Sequence, residues 1–211
     1  MKKKNSKPEV KKNKSNSKES VISRDNVFLE SYKFVLDSKN LIYTSAIIFF
    51  CFFGLAFVVH PSSTILEAIK KMVSELLAKT AGFGFSEMFW FIFLNNLQAS
   101  FFAMAFGVFF GVFPLFVLVS NGYFSGFVSY LAVRSSGWGS LLSLLPHGVF
   151  ELPAIFISTA LGFRAGFFIF RKEKVSFLEI LFSCLKAFLF IVLPLLFVAA
   201  IIESGLIVAL G

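Results

Sequence analysis

The sequence has few of the residues that most enzyme and metal sites require. It holds only two cysteines and two histidines, and charged residues make up 15% of its 211 residues. Cys51 and Cys184 fall in separate apolar segments and are interpreted as small apolar residues. His60 and His147 alone cannot complete a closed zinc site, which needs about four ligands. No HExxH, paired-cysteine or nucleophile-elbow motif is present, so we predict a protein that is not an enzyme, with no catalytic residues, no metal site and no cofactor.

Apolar residues dominate the chain instead. Hydrophobic residues make up 57% of the sequence, phenylalanine occurs 32 times and the mean hydropathy is +0.82. A hydrocarbon core of about 30 Å needs about 20 apolar residues per helix, and several segments reach that length. The sequence therefore predicts an all-α membrane protein: a bundle of about five transmembrane helices with an external amphipathic interfacial helix.

Changes in composition divide the chain into a tail, a short helix and a membrane domain. Residues 1–24 are rich in Lys, Ser and Asn, and they predict a disordered basic tail. No aromatic residue is interleaved with the lysines, which favours attraction to anionic lipids over binding of nucleic acid. Residues 25–40 predict a juxtamembrane helix, and residues 41–211 the transmembrane domain. Its predicted spans are 41–59, 87–110, 113–133, 148–170 and 176–202.

The distribution of basic residues predicts the orientation in the membrane. Residues 1–40 hold 11 Lys and Arg against five acidic residues, which places the amino terminus in the cytoplasm. The basic loop 171–174, between the fourth and fifth spans, then also lies inside. We therefore expect a multi-pass cell-membrane protein with a cytoplasmic amino terminus and an external carboxyl terminus.

Residues 64–80, between the first two spans, form an amphipathic pattern. Thr64 and Glu67 have the spacing of a capping box, and apolar residues follow at helical spacing. Such a helix lies in the external membrane interface or docks on a partner, and we favour the interface.

Small residues recur every four positions in two of the predicted spans, a pattern typical of helices whose backbones pack closely. We predict contacts within one subunit in preference to a dimer seam, and Gly122 and Gly126 of the third span suggest a similar contact. The two rows are Ala99, Ala103, Gly107 and Gly111 in the second span, and Ala154, Ser158, Gly162 and Gly166 in the fourth.

Polar residues inside the spans are the candidates for function. Because a buried amide without a partner costs about 1–3 kcal/mol, each needs a hydrogen bond across a helix interface or a place in a substrate or ion path. Both interpretations stay open. The predicted intramembrane polar cluster, structural or functional, is Asn95, Asn96, Gln98, Asn121, His147, Glu151, Arg164, Glu179 and Lys186.

Two groups within this cluster suggest specific pairings. Pro146 suits a helix start, which places His147 and Glu151 one turn apart on the same face. If the fourth and fifth spans are neighbours, we expect a snorkelling Arg164 to meet Glu179 in the inner half of the membrane. Lys186, placed near the midplane, is the strongest argument for a polar path, because an isolated ammonium there costs about 2.5–3.5 kcal/mol on insertion scales.

Three short motifs in this order resemble the stage II sporulation protein M family. They are N-N-x-x-A-S at residues 95–100, Asn121-Gly122, and L-P-H-G-x-F-E-L-P at residues 145–153 followed by Gly162. The resemblance covers residues from about 30 to 205. It implies a small multi-span membrane protein and a non-enzymatic role in organising partners; it does not imply sporulation.

Two functions therefore remain in contention. The first is a scaffold or organising component of a membrane complex. The alternative is a permease-like transport subunit that moves a small solute or lipid, with an ATPase as a potential partner. In either case we expect membrane lipids as partners, together with other membrane proteins or further copies of the chain.

Overall fold

A computed structural model describes residues 26–59, 61–170 and 176–210, without the side chains of residues 65, 142–147, 169 and 210. The predicted tail 1–24, His60, the loop 171–174 and the side chain of His147 lie outside this described part. Within it the chain is helical and has no strand. The helices are α1 Asn26–Asp37, α2 Lys39–Leu55, α3 Ser63–Thr80, α4 Phe85–Ala105, α5 Val112–Ser136, α6 Leu141–Gly166, α7 Phe177–Ala187 and α8 Leu193–Leu210.

Four helical segments of the described chain are long and apolar enough to cross a membrane. They are Phe85–Val108, Val112–Ser136, Gly148–Gly166 and Phe177–Ala209. Helices α1 and α2 form a fifth candidate as a pair, bent by 57°. Helix α2 alone has 17 residues, which gives about 25 Å at 1.5 Å per residue. The protein is thus an all-α multi-pass membrane bundle.

Several helix ends differ from the prediction. Helix α6 begins at Leu141, so Pro146 lies inside it and does not start it. The reason lies upstream: Gly137 ends α5 with a φ of 80°, and a short turn at Trp138–Ser140 leads directly into α6. Thr64 is likewise inside α3, because the capping position is Ser62, whose side chain makes no capping hydrogen bond.

The last span is longer than one crossing requires. Helices α7 and α8 are joined by a π-helical turn at Phe188–Val192, and together they form a span of 33 residues. At 1.5 Å per residue that is about 50 Å, against a hydrocarbon core of about 30 Å. Ile180, Cys184 and Ala187 of α7 are buried, whereas Glu179 and Lys186 are exposed. Helix α7 thus packs one face against the bundle and exposes these two charged side chains.

Helix α6 lies at the centre of the bundle. In Gly148–Gly166, 61% of the span is buried, against 33–39% in the other three. One apolar cluster joins α6 to α4 and α8 through residues such as Leu161, Ile92 and Leu196. A second joins it to α2 and α5 through Phe156, Phe49 and Leu118.

The two predicted rows of small residues face each other in the structure. A Cβ atom added to Gly107 would collide with the backbone of Gly162, and one added to Gly162 would collide with the carbonyl oxygen of Ala103. Gly166 packs against Gly107 and Gly111 in the same way. The backbones of α4 and α6 are therefore in direct contact, as expected for helices with small residues in register.

The third span makes an equivalent contact on the other side of the bundle. Gly122 and Gly126 of α5 lie against the backbone of α2, at the carbonyl groups of Phe49 and Phe53. Because no side chain separates the two helices there, α2 is held to the bundle although it is short.

We predict that Gly162→Ala lowers the free energy of unfolding in detergent micelles. Overpacking a tight contact costs roughly 1–3 kcal/mol, which exceeds the gain of about 1 kcal/mol that alanine brings over glycine within a helix. The matched control is Gly54→Ala in α2, where an added Cβ meets no atom within 4 Å. Equal stability of the two variants in denaturant unfolding would contradict the close α4–α6 contact.

Candidate functional site

The central candidate site is a small cavity between α4, α5 and α6, where Asn95 and Ala99 of the lining are exposed. Its volume is about 40 Å³, and its described lining combines polar and apolar side chains from the three helices. Of the predicted cluster, the cavity brings together the amides of α4 and α5 with the carboxylate of α6. The described lining residues are Asn95, Asn96, Ala99, Ser100, Ala103, Val117, Asn121, Glu151 and Ile155.

The geometry of the backbone explains why these side chains meet. Asn96 and Ser100 are four residues apart, and so are Val117 and Asn121, so each pair lies on one face of its helix. Small residues at positions 99 and 103 of α4 leave room for the cavity beside the tight α4–α6 contact. Glu151 is 8% exposed, so its carboxyl group lies inside the bundle.

Two of the amide side chains that line the cavity form hydrogen bonds within their own helices. The Asn121 Nδ2 donates to the carbonyl oxygen of Val117 at 2.8 Å. The Asn95 Nδ2 donates to the Oδ1 of Asn96 at 3.4 Å. Each of these NH₂ groups keeps a second N–H, and each side chain also carries an Oδ1, so the two amides can both donate and accept hydrogen bonds.

Ser100 belongs to the cavity although it was not among the predicted site residues. It is 1% exposed, and its Oγ has no hydrogen-bond partner among the described atoms. Its position four residues after Asn96 was the signal in the sequence. Burying a hydroxyl without a hydrogen-bond partner costs about 1–3 kcal/mol. The Ser100 Oγ is therefore free to bind another group.

The other predicted residues lie elsewhere. Gln98 is exposed on α4, because two residues after Asn96 the helix has turned to another face. The side chain of His147 is outside the described residues. Among the described residues no cluster of three or more His, Cys, Asp or Glu side chains is present.

Arg164 of α6 forms hydrogen bonds with the bend between α1 and α2. Its Nη1 donates to the carbonyl oxygen of Phe34 at 3.1 Å and to the Oγ of Ser38 at 2.9 Å. Its guanidinium carbon lies 3.8 Å from the centroid of the Phe34 ring. A cation at the carboxyl end of α1 is favoured by the free carbonyl groups and the helix dipole, so Arg164 adds polar bonds between the bend and α6 to the apolar contact of Val35.

The expected pairing of Arg164 with Glu179 is therefore replaced by other contacts. Glu179 accepts from the backbone N–H of Ser176 at 3.1 Å, while its own N–H donates to the Oγ of Ser176 at 3.3 Å. This capping box begins α7 and uses the glutamate locally. The prediction failed because the sequence does not show that Phe34 and Ser38 approach Arg164 from a distant helix.

Lys186 pairs with α1 and is not isolated. Its Nζ lies 3.6 Å from the Oε2 of Glu30, and the two side chains are 48% and 65% exposed. A pair this exposed contributes about 0–1 kcal/mol. The ammonium of Lys186 therefore has an acidic partner on α1.

Comparison with known proteins gives one family match. The family model for stage II sporulation protein M matches residues 43–206, which run from within α2 to within α8 and include every described lining residue of the cavity. No curated protein and no solved structure gives a match.

We expect Arg164→Gln to lower the free energy of unfolding by about 1.5–3 kcal/mol, the range for hydrogen bonds to a charged group. The same substitution should make α1 accessible to solvent. The test is the rate at which a thiol reagent labels a cysteine that replaces Val35, a residue that is buried in the native protein. Arg134→Gln is the matched control, since Arg134 is exposed and bonds only locally to Tyr130. Unchanged labelling at position 35 in the Arg164 variant would show that the bend is held by other contacts.

Proposed function

The chain belongs to the stage II sporulation protein M family, and from that premise we propose that it is a non-enzymatic membrane scaffold that organises the partners of a complex. The family match covers the bundle. A scaffold needs a rigid body and a surface that partners can reach. We assign the rigid body to the helices that pack around α6, and the accessible surface to α3.

Helix α3 is the observation that carries this proposal. None of its described side chains is buried, although it has 18 residues. Met72 and Leu77 are 51% and 64% exposed, which suits an apolar face lying on lipid. The opposite face carries Glu67, Lys70, Lys71 and Glu75.

The contacts of α3 hold it beside the bundle while leaving its polar face open. Near its carboxyl end, the Nζ of Lys79 lies 5.2 Å from the centroid of the Phe91 ring of α4. Lys71 and Glu75 form a 3.9 Å ion pair within α3, with both side chains largely exposed. A charged strip that is exposed along α3 suits binding of a partner through electrostatic complementarity.

A permease-like role is the second candidate, and the polar cavity is the observation that favours it. Glu151 and Asn121 lie inside the bundle, as a solute path would require. The pairing of Lys186 with Glu30 removes one argument for such a path. The cavity volume of about 40 Å³ is also small, since pockets that hold organic ligands measure roughly 300–1,000 Å³. We therefore place the scaffold role first.

The scaffold proposal predicts that reversing the charge of the polar face of α3 removes partners. In the double variant Lys70→Glu with Lys71→Glu, the proteins that co-purify from native membranes should fall at least severalfold, measured by quantitative mass spectrometry. The matched control, Lys33→Glu with Lys39→Glu, makes the same charge change on exposed lysines of α1 and α2.

Both variants should reach the membrane fraction at the level of the unmodified protein. If the α3 variant keeps the same set of partners in the same amounts, α3 is not the docking surface and the proposal fails.

A further inference from the structure

We propose that the exposed face of α4 binds a second copy of this chain, so that the protein forms a two-fold dimer in the membrane. This face carries two amide side chains, Asn95 and Gln98, and both residues are exposed. They lie on either side of the middle of the span Phe85–Val108. A single chain would therefore present these amides to the lipid. The inference does not depend on the scaffold role.

The two amides lie at the centre of the exposed face of α4. Residues three and four positions apart share one side of a helix, so Asn95, Gln98 and Phe102 form one row. Phe102 is exposed as the two amides are, whereas Phe93 and Ser100, on the opposite side of the helix, are buried. The amides thus point away from the bundle to which α4 belongs.

The described part of the chain does not satisfy the hydrogen-bonding groups of this row. Within it, the Gln98 side chain forms no hydrogen bond, and the bond from Asn95 to the Oδ1 of Asn96 is 3.4 Å long. Lipid tails contain neither donors nor acceptors, so amides near the middle of a span bond to a neighbouring helix. A helix of another chain can supply these bonds.

A second copy of this chain meets the requirement by symmetry. An amide carries both donors and an acceptor, so a row of amides can bond to an identical row across a two-fold axis. Copies inserted in the same orientation also hold Asn95 and Gln98 at the same depth, so the amides of one copy meet those of the other. A partner of different sequence would need polar side chains at that depth.

The shape of the face permits close contact between two copies. Ala99 is exposed beside the row, and its small side chain lets the backbone of a neighbouring helix approach. At one end of the face, Lys79 of α3 packs on the ring of Phe91. From there to Phe106 the segment 91–106 is about 22 Å long at 1.5 Å per residue, which is most of the hydrocarbon core.

Single-molecule photobleaching of the purified full-length protein in liposomes tests the dimer. The number of copies per liposome is counted over a range of protein-to-lipid ratios and compared with random distribution. The double variant Asn95→Leu with Gln98→Leu should lower the dimerisation constant by about tenfold or more, because it removes the bonds between the copies. Leucine suits a face exposed to lipid, so the variant should keep its helical content, measured by circular dichroism.

The matched control is Asn40→Leu with Thr44→Leu. It removes two exposed polar side chains from α2, and its dimerisation constant should equal that of the unmodified protein.

A cysteine at position 102 tests the geometry without changing the amides. In a chain with Phe102→Cys and Cys51→Ala, oxidation in the membrane should give a covalent dimer, because a disulfide needs Cα atoms within about 7 Å. The control is the unmodified chain, in which Cys51 is exposed on α2 and Cys184 is buried. It should stay uncrosslinked under the same oxidation.

Three results would overturn the inference. The first is a random distribution of the unmodified protein among the liposomes at every ratio. The second is equal dimerisation of the α4 and α2 double variants, which would place the interface elsewhere. The third is a crosslink that forms as readily through Cys51 as through position 102. A purified chain that stays monomeric, together with a different membrane protein that the α4 variant loses in native membranes, would assign this face to that other protein.

Discussion

The direct contact between the backbones of α4 and α6 sets the positions of the other helices. Lipid tails are as apolar as leucine, so burial of apolar side chains drives helices together less in a bilayer than in water. Close packing through glycine compensates, because it brings many backbone atoms within van der Waals distance. Ala103 of α4 and Gly107 in the turn that follows it do this with Gly162 and Gly166 of α6, while Gly122 and Gly126 hold α2 to α5. Helix α6, joined to both apolar clusters, becomes the axis of the bundle.

The low dielectric constant of the membrane then determines what the polar residues do. Each must find a partner in protein, since the lipid offers none. The hydroxyl of Thr159 lies 3.1 Å from that of Ser45 in α2, and Arg164 bonds to the bend that begins that helix. These pairs are structural. The cavity residues differ, because they line a common space and the Oγ of one of them, Ser100, has no hydrogen-bond partner among the described atoms.

The sequence was sufficient for the class of fold, the family and the small-residue contacts, because hydropathy, short motifs and four-residue spacing are local patterns. It was not sufficient for long-range pairing. Arg164 was expected to meet Glu179, yet its described partners lie on α1 and the adjoining bend, about 130 positions away in the chain. Pro146 suggested a helix start, because sequence rules do not show that a turn at Trp138–Ser140 already begins α6. Asn95, Asn121 and Glu151 could be proposed as intramembrane polar residues, but their common cavity depends on how three helices pack.

Solid-state NMR of the protein in lipid bilayers, with glycine-selective ¹³C labelling, measures the central contact directly. A close α4–α6 contact predicts a direct through-space cross-peak between the Cα resonances of Gly107 and Gly162, assigned by substituting each glycine in turn. A spectrum in which both resonances are resolved and no such cross-peak develops at long mixing times would contradict the packing on which the cavity depends.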